Sequence, residues 1–371
     1  MILNVDSQTE LSGFYVVYNR TTINETKGIY GISHLVEHLM SHNFDDGIIE
    51  EFQNNGLSWN AYTSPTNIVF YLNGLDKHVS KYRDRFLEKL SYIDIKQKDF
   101  ETEKISLLEE YTGIFNMQSP SHLLNLYRKV LNSYNSIGKK EDIYQLTQEQ
   151  CKNYYLQYYA RPSKIINVSK NFQFKSDIEF NNFKNDYIVQ YDINNNADIE
   201  EYKTLLNKSS VIYLSPIIKE QWATIFFINF LISNGLSSPL YKNVRKKSGL
   251  AYYIRCSLDR LSDYSGINII STETDDYKVG DLMKRIDETL NDPYFLNEDR
   301  FEQVKNSILN KIDTVEINRY SNVETYIKPK CWAIEDQINN ITLDDVKETY
   351  SKYYNSNNFY KSVDKVEFGK N

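Results

Sequence analysis

Leu11 to Tyr18 alternates well enough to predict an opening strand, and Ile68 to Leu72, Lys164 to Val168 and Ile267 to Ile270 have the same β-branched and aromatic character. Between these runs the spacing turns helical. Leu35, Val36, Leu39 and Met40 sit on the sides of one predicted helix, with Ser33 placed to cap it. Further helices are predicted from about Phe100 to Phe115 and from Thr147 to Tyr159. Trp222 to Ile232 is the most apolar stretch; it is too short to cross a bilayer and contains Asn229, so it reads as a buried helix.

The pattern repeats along the chain. Thr147 to Tyr159 lies without a gap on Thr342 to Tyr354, a shift of 195 residues, each copy opening on a threonine cap and closing on a Tyr-Tyr pair. Gly56-Leu57-Ser58-Trp59 matches Gly249-Leu250-Ala251-Tyr252 at a shift of 193. Two matches at nearly equal shifts predict two related halves that each mix strands and helices. The polar stretch Asp192 to Asp198 has linker composition, giving domains 1–192 and 199–371.

Composition narrows the classes. A net charge of −7 over 371 residues, with no long basic stripe, argues against nucleic acid as a partner. Three scattered cysteines argue against a disulfide framework and suit a reducing compartment. The opening residues lack a signal pattern, and Asp6 and Glu10 are unlike a mitochondrial presequence, so the expected location is cytoplasmic, away from membranes.

Only five histidines occur, and two of them form the string His34-Leu35-Val36-Glu37-His38. Residues four apart share one helix face, so both imidazoles can grip one metal ion with Glu37 beside them. A carboxylate next to a metal that acidifies water is what a hydrolase needs near neutral pH. The order H-x-x-E-H is the inverted zincin signature. His42 extends the stripe by a turn, but Leu39 stands where a second motif needs glutamate, so His42 is expected to neighbour the site. A catalytic zinc takes three protein ligands, and the run Glu101 to Glu110 offers carboxylates: Glu103 and Glu110, seven apart, share a face, while Glu109 points away.

These motifs together resemble the pitrilysin/insulinase family of inverted zincins, which includes the mitochondrial processing peptidases. The resemblance covers nearly the whole chain. It implies an α+β fold of two homologous domains, each a mainly antiparallel sheet flanked by helices. It further implies one Zn²⁺ per chain on His34, His38 and Glu110, with Glu37 as general base and Glu103 orienting a ligand. Asn60, Ala61 and Thr63 fall in the family's substrate-binding edge strand. Arg245 and Tyr252 fall in its arginine–tyrosine segment, near the scissile bond. The expected activity is that of a zinc endopeptidase on extended or unstructured peptides, such as leaders or precursors. The expected assembly is a homodimer, or a heterodimer with a related subunit. Ser41 to Asp46 departs from the family's usual aromatic-Lys-Gly-Thr segment, which bears on loop shape and substrate preference. The competing reading is a non-catalytic subunit of the same fold. Metal storage is a third, in which Glu37 would have no task.

Overall fold

The computed structural model describes residues 1–7, 9–116, 136–183, 200–204, 208–260, 264–317 and 335–366. They fall into two compact units, one on 1–115 with 136–183 and the other on 200–314 with 335–366. The domain boundary expected between 192 and 199 lies outside the described residues.

The first unit runs β1 (Ile2–Asp6), β2 (Leu11–Tyr18), α1 (Ile32–Ser41), α2 (Asp46–Asn54), β3 (Ser58–Thr63), β4 (Ile68–Leu75), α3 (Asp76–Leu90), α4 (Gln97–Asn116), α5 (Lys140–Gln145), α6 (Gln148–Tyr158) and β5 (Lys164–Ser169). Its sheet has the order β1-β5-β2-β4-β3, antiparallel except for β1 beside β5. Successive side chains of a strand face opposite ways. Phe14, Val16 and Tyr18 accordingly join the core formed with α1, α3 and α6, while Tyr15 and Val17 join a smaller cluster with Val69 and Ile166. Complete burial of a side chain such as Phe14 or Phe70 stabilises the unit by ~1.5–3 kcal/mol.

The second unit runs β6 (Glu200–Thr204), β7 (Ser209–Ile218), α7 (Trp222–Ser233), a π-helical turn (Tyr241–Lys246), β8 (Ile254–Arg260), β9 (Ser265–Thr274), α8 (Val279–Asn291), α9 (Glu298–Ile317), α10 (Glu335–Asn340), α11 (Leu343–Tyr353) and β10 (Tyr360–Val366). Its sheet order, β6-β10-β7-β9-β8, repeats that of the first, again with one parallel pair. The duplication extends to side chains. Thr147 and Thr342 each cap their helix in a reciprocal box, with Gln150 and Asp345 as partners. Tyr155 donates its hydroxyl to the carbonyl of Leu90 (3.1 Å), and Tyr350, 195 residues on, to that of Leu290 (2.9 Å). Gly56 and Gly249 both turn with positive φ, +65° and +60°. Among the described residues no helix is long and apolar enough to cross a membrane.

Candidate metal centre

Helix α1 brings the motif together through its period. Leu35, Val36, Leu39 and Met40 are buried in the core, which leaves one side for His34, Glu37 and His38. Possible ligand atoms of these three lie within 4.8 Å of one another. Helix α4 is longer than its predicted span and crosses here, placing Glu110 Oε2 3.7 Å from His34 Nε2 and 3.6 Å from His38 Nε2. Zinc with nitrogen and oxygen ligands about 2.0–2.1 Å away has tetrahedral edges of about 3.3 Å, so the two separations from Glu110 need only a slight contraction.

Glu103, two turns earlier on α4, accepts from His38 Nδ1 at 2.8 Å through Oε2 and meets His42 Nε2 at 2.7 Å through Oε1. A carboxylate on the far nitrogen fixes the ring's orientation and turns its Nε2 toward the space shared with His34 and Glu110. His42 is thus a neighbour of the site. Glu37 Oε2 lies 3.7 Å from His34 Nε2 and receives a hydrogen bond from the Thr63 hydroxyl at 3.1 Å. That contact across to β3 had no signal in the sequence, where Thr63 stood only in an edge-strand pattern.

The charges suit a divalent cation. Three carboxylates surround two imidazoles. Burial pushes the Glu37 carboxyl up to about 7, with Glu110 and Glu103 adding to the effect and His38 and Thr63 opposing it. Burial, and then the neighbouring His38, lowers His34 to about 4, the neutral form that ligates metal. Burial also works against charge on His38, yet Glu103, Glu110 and Glu37 outweigh it and hold that ring up to about 10. The hydrogen bond from His38 is the largest influence keeping Glu103 and Glu110 below the usual carboxylate range. His34 Nδ1 is buried without a well-formed hydrogen bond, the backbone of Ser136 being the polar group that faces it. The donor set therefore fits zinc.

One sequence expectation is corrected. Ser33 lies inside the first turn and does not cap α1. Gly31 is the cap residue, at φ +103°, and the helix's free amides are met by Glu25, which accepts from Gly31 N–H at 2.7 Å and Ser33 N–H at 2.8 Å.

Comparison with known proteins decides the family. The pattern for "Insulinase (Peptidase family M16)" matches residues 1–137, and that for "Peptidase M16 inactive domain" matches residues 173–308. The chain belongs to peptidase family M16. An uncharacterized zinc protease of Rickettsia felis is 23% identical over 364 residues, covering 88% of this chain and 85% of its own. A protease from Helicobacter pylori shares the fold with a TM-score of 0.77 at 15% identity, over 99% of this chain and 97% of that one. Pitrilysin matches with a TM-score of 0.75 at 17% identity, over 99% of this chain but only 43% of its own.

The other M16 positions named from sequence fall in two places. Asn60, Ala61 and Thr63 lie on β3, which among the described residues is an edge of the first sheet paired with β4 alone. Asn60 Oδ1 is engaged locally, by the amide of Ala61 at 2.8 Å. A cavity of about 600 Å³ opens between this strand and α1, lined among others by Glu37, His38, His42, Trp59 and Ala61, with Trp59 stacked on Phe44 at 4.3 Å. Arg245 and Tyr252 belong to the second unit. There the guanidinium lies 4.2 Å from the Tyr252 ring centroid and 5.1 Å from that of Tyr241, and Tyr252 is 71% exposed.

Proposed function

We propose that this M16 chain is a zinc-dependent endopeptidase acting on extended or unstructured peptides, with one Zn²⁺ per chain. The observation that carries the reading is the meeting of His34, His38 and Glu110 around one point, with the buried carboxylate of Glu37 beside them. Those three side chains would hold the ion. When bound, it supplies Lewis acidity, polarising the scissile carbonyl and easing loss of a proton from water near neutral pH.

The chain's own residues do the rest. Glu37 takes the proton from the attacking water and returns it to the leaving amine nitrogen. Its burial favours uptake of that proton, because desolvation raises the carboxylate's affinity for it. Thr63 donates to Glu37 Oε2 and steadies the carboxylate form, and Glu103 keeps His38 turned toward the ion. The free edge of β3 offers backbone N–H and C=O groups to an extended peptide, which would add as a further strand. Recognition of that kind reads backbone more than side chain, and the cavity beside Trp59 would take one substrate side chain.

Because the chain matches just under half of pitrilysin, two copies are the natural functional unit. In such a homodimer Arg245 and Tyr252 of one copy would reach substrate held at the metal centre of the other.

The test is cleavage of a mixed library of unstructured peptides, read by mass spectrometry before and after chelation and zinc return. Loss with chelator and recovery with zinc is the expected result. A folded, zinc-loaded protein that cuts nothing in the library, nor in leader and precursor peptides, would leave the non-catalytic subunit as the better reading.

A further inference from the structure

Two further carboxylates, Glu25 and Asp142, hold the loop that leads into α1. Glu25 is buried, and its two oxygens are divided between two backbone donors, Gly31 N–H and Ser33 N–H. These amides bracket Ile32, the first residue of the helix. Amides at a helix start have no partner within the helix, and a carboxylate there also meets the positive end of the helix dipole. Burial pushes the Glu25 carboxyl up to about 7, while the Gly31 amide, the Ser33 hydroxyl and amide, and Arg20 favour its charge.

Asp142 of α5 holds the preceding part of the loop, accepting from Gly28 N–H at 2.8 Å and Tyr30 N–H at 3.2 Å. The backbone is tightly enclosed where they meet. A Cβ on Gly138 would lie 2.3 Å from Gly31 Cα, and one on Gly31 would lie 2.9 Å from the Ile143 side chain. Among the described residues the Asp142 carboxylate accepts from the loop alone, whereas that of Glu25 accepts from the cap residue and the first turn of the helix.

We infer that Glu25 is a positioning residue for the metal centre: by clamping the amides of Gly31 and Ser33 it sets the rotation of the first turn of α1, and so the direction of the His34 imidazole. His34 follows Ser33 directly, and each residue of a helix turns the chain through about 100°, so slack in this turn swings its Nε2 away from His38 and Glu110. Packing of Ile32 and Leu35 holds the helix against the core, and the two amide bonds add a directional hold on its first turn from the N-terminal side. The inference rests on the zinc reading above.

The test compares zinc affinity, by competition with a chromophoric chelator, and peptide cleavage in wild type, Glu25→Gln, Glu25→Asp and Asp142→Asn. Glu25→Gln keeps the size but sets an NH₂ group against one of the two backbone donors. It is expected to bind zinc roughly 10–100-fold more weakly, as loss of an orienting partner does, with kcat reduced and KM little changed. Glu25→Asp keeps the charge, reaches one amide instead of two, and falls between. Asp142→Asn is expected to lower the melting temperature while leaving zinc affinity unchanged. Folded Glu25 variants that hold zinc as wild type does would overturn the inference, as would an equal loss in Asp142→Asn. If Glu25→Gln does not fold, Glu25→Asp decides by the same criterion. Failure of folded wild type to bind zinc would remove the metal reading itself, an outcome distinct from wild-type binding that Glu25 does not influence.

Discussion

Helices α1 and α7 occupy equivalent places in two sheets of identical strand order, and they use those places oppositely. In the first unit one face of the helix carries His34, Glu37 and His38. In the second, the 193-residue shift that relates Gly56 to Gly249 sets Phe227, Phe230 and Leu231 at those three positions. Phe227 and Leu231 are fully buried, and Phe227 packs on Phe301 with centroids 5.1 Å apart. All five histidines of the chain fall within its first 122 residues. Burying polar and ionisable groups is costly unless they are paired, so a fold duplicated without its chemistry gains by filling the same positions with hydrocarbon. What polarity survives in α7 is satisfied: Asn229 is bonded to Asn268 at 2.8 Å and accepts from the Tyr354 hydroxyl at 2.6 Å. The fold is the common frame, and chemistry resides in a few side chains placed on it.

The sharpest test of this contrast rewrites one helix in the image of the other. His34→Phe combined with His38→Leu is expected to abolish zinc binding and cleavage, while the far-UV spectrum and a cooperative melt persist; collapse of the first unit would mean that the polar face is also needed for folding. Glu37→Gln is expected to lower kcat by roughly 10²–10⁴-fold, the usual contribution of a general base, with zinc still bound when measured by metal analysis. Glu103→Gln is milder. It leaves the ligands in place but loosens His38, and a roughly 10–100-fold weaker zinc affinity is expected by chelator competition. Smallest of all, Tyr155→Phe and Tyr350→Phe each remove one buried hydrogen bond to a helix-end carbonyl, costing about 1 kcal/mol apiece in denaturant unfolding. Unequal costs would show that the two units no longer share their supporting contacts.

The sequence discloses whatever is local in register. His34 and His38 are legible because a helix repeats at nearly four residues, and the threonine caps because a box closes within three. Trp222 to Ile232 is legible as a buried helix because it is apolar on every side. Contacts made across elements are not legible in this way. Nothing near Thr63 announces that its hydroxyl will sit on Glu37, since that depends on how β3 lies beside α1. Serine favours cap positions, so the sequence points to Ser33 as the cap on α1, yet Gly31 at positive φ turns the loop so that Glu25 comes back to the helix start. Glu110 stands between these cases: the seven-residue spacing puts it on one face with Glu103, the family resemblance separates their parts, and the crossing of α4 over α1 supplies the geometry.

The parallel pairs at the margins of both sheets also govern the order in which the molecule can assemble. Among the described residues strand β1 pairs with β5 alone, whose pairing residues Ile165 to Ser169 lie far along the chain from Ile2. At synthesis rates of about 5–20 residues per second, β1 waits on the order of ten to thirty seconds for that neighbour to be made. The second sheet repeats the delay, because β10, like β5 in the first, stands between two earlier strands and pairs with both. A nascent chain stopped short of Tyr360 would hold two strands with no common neighbour, exposing unpaired edges to proteases and to other chains.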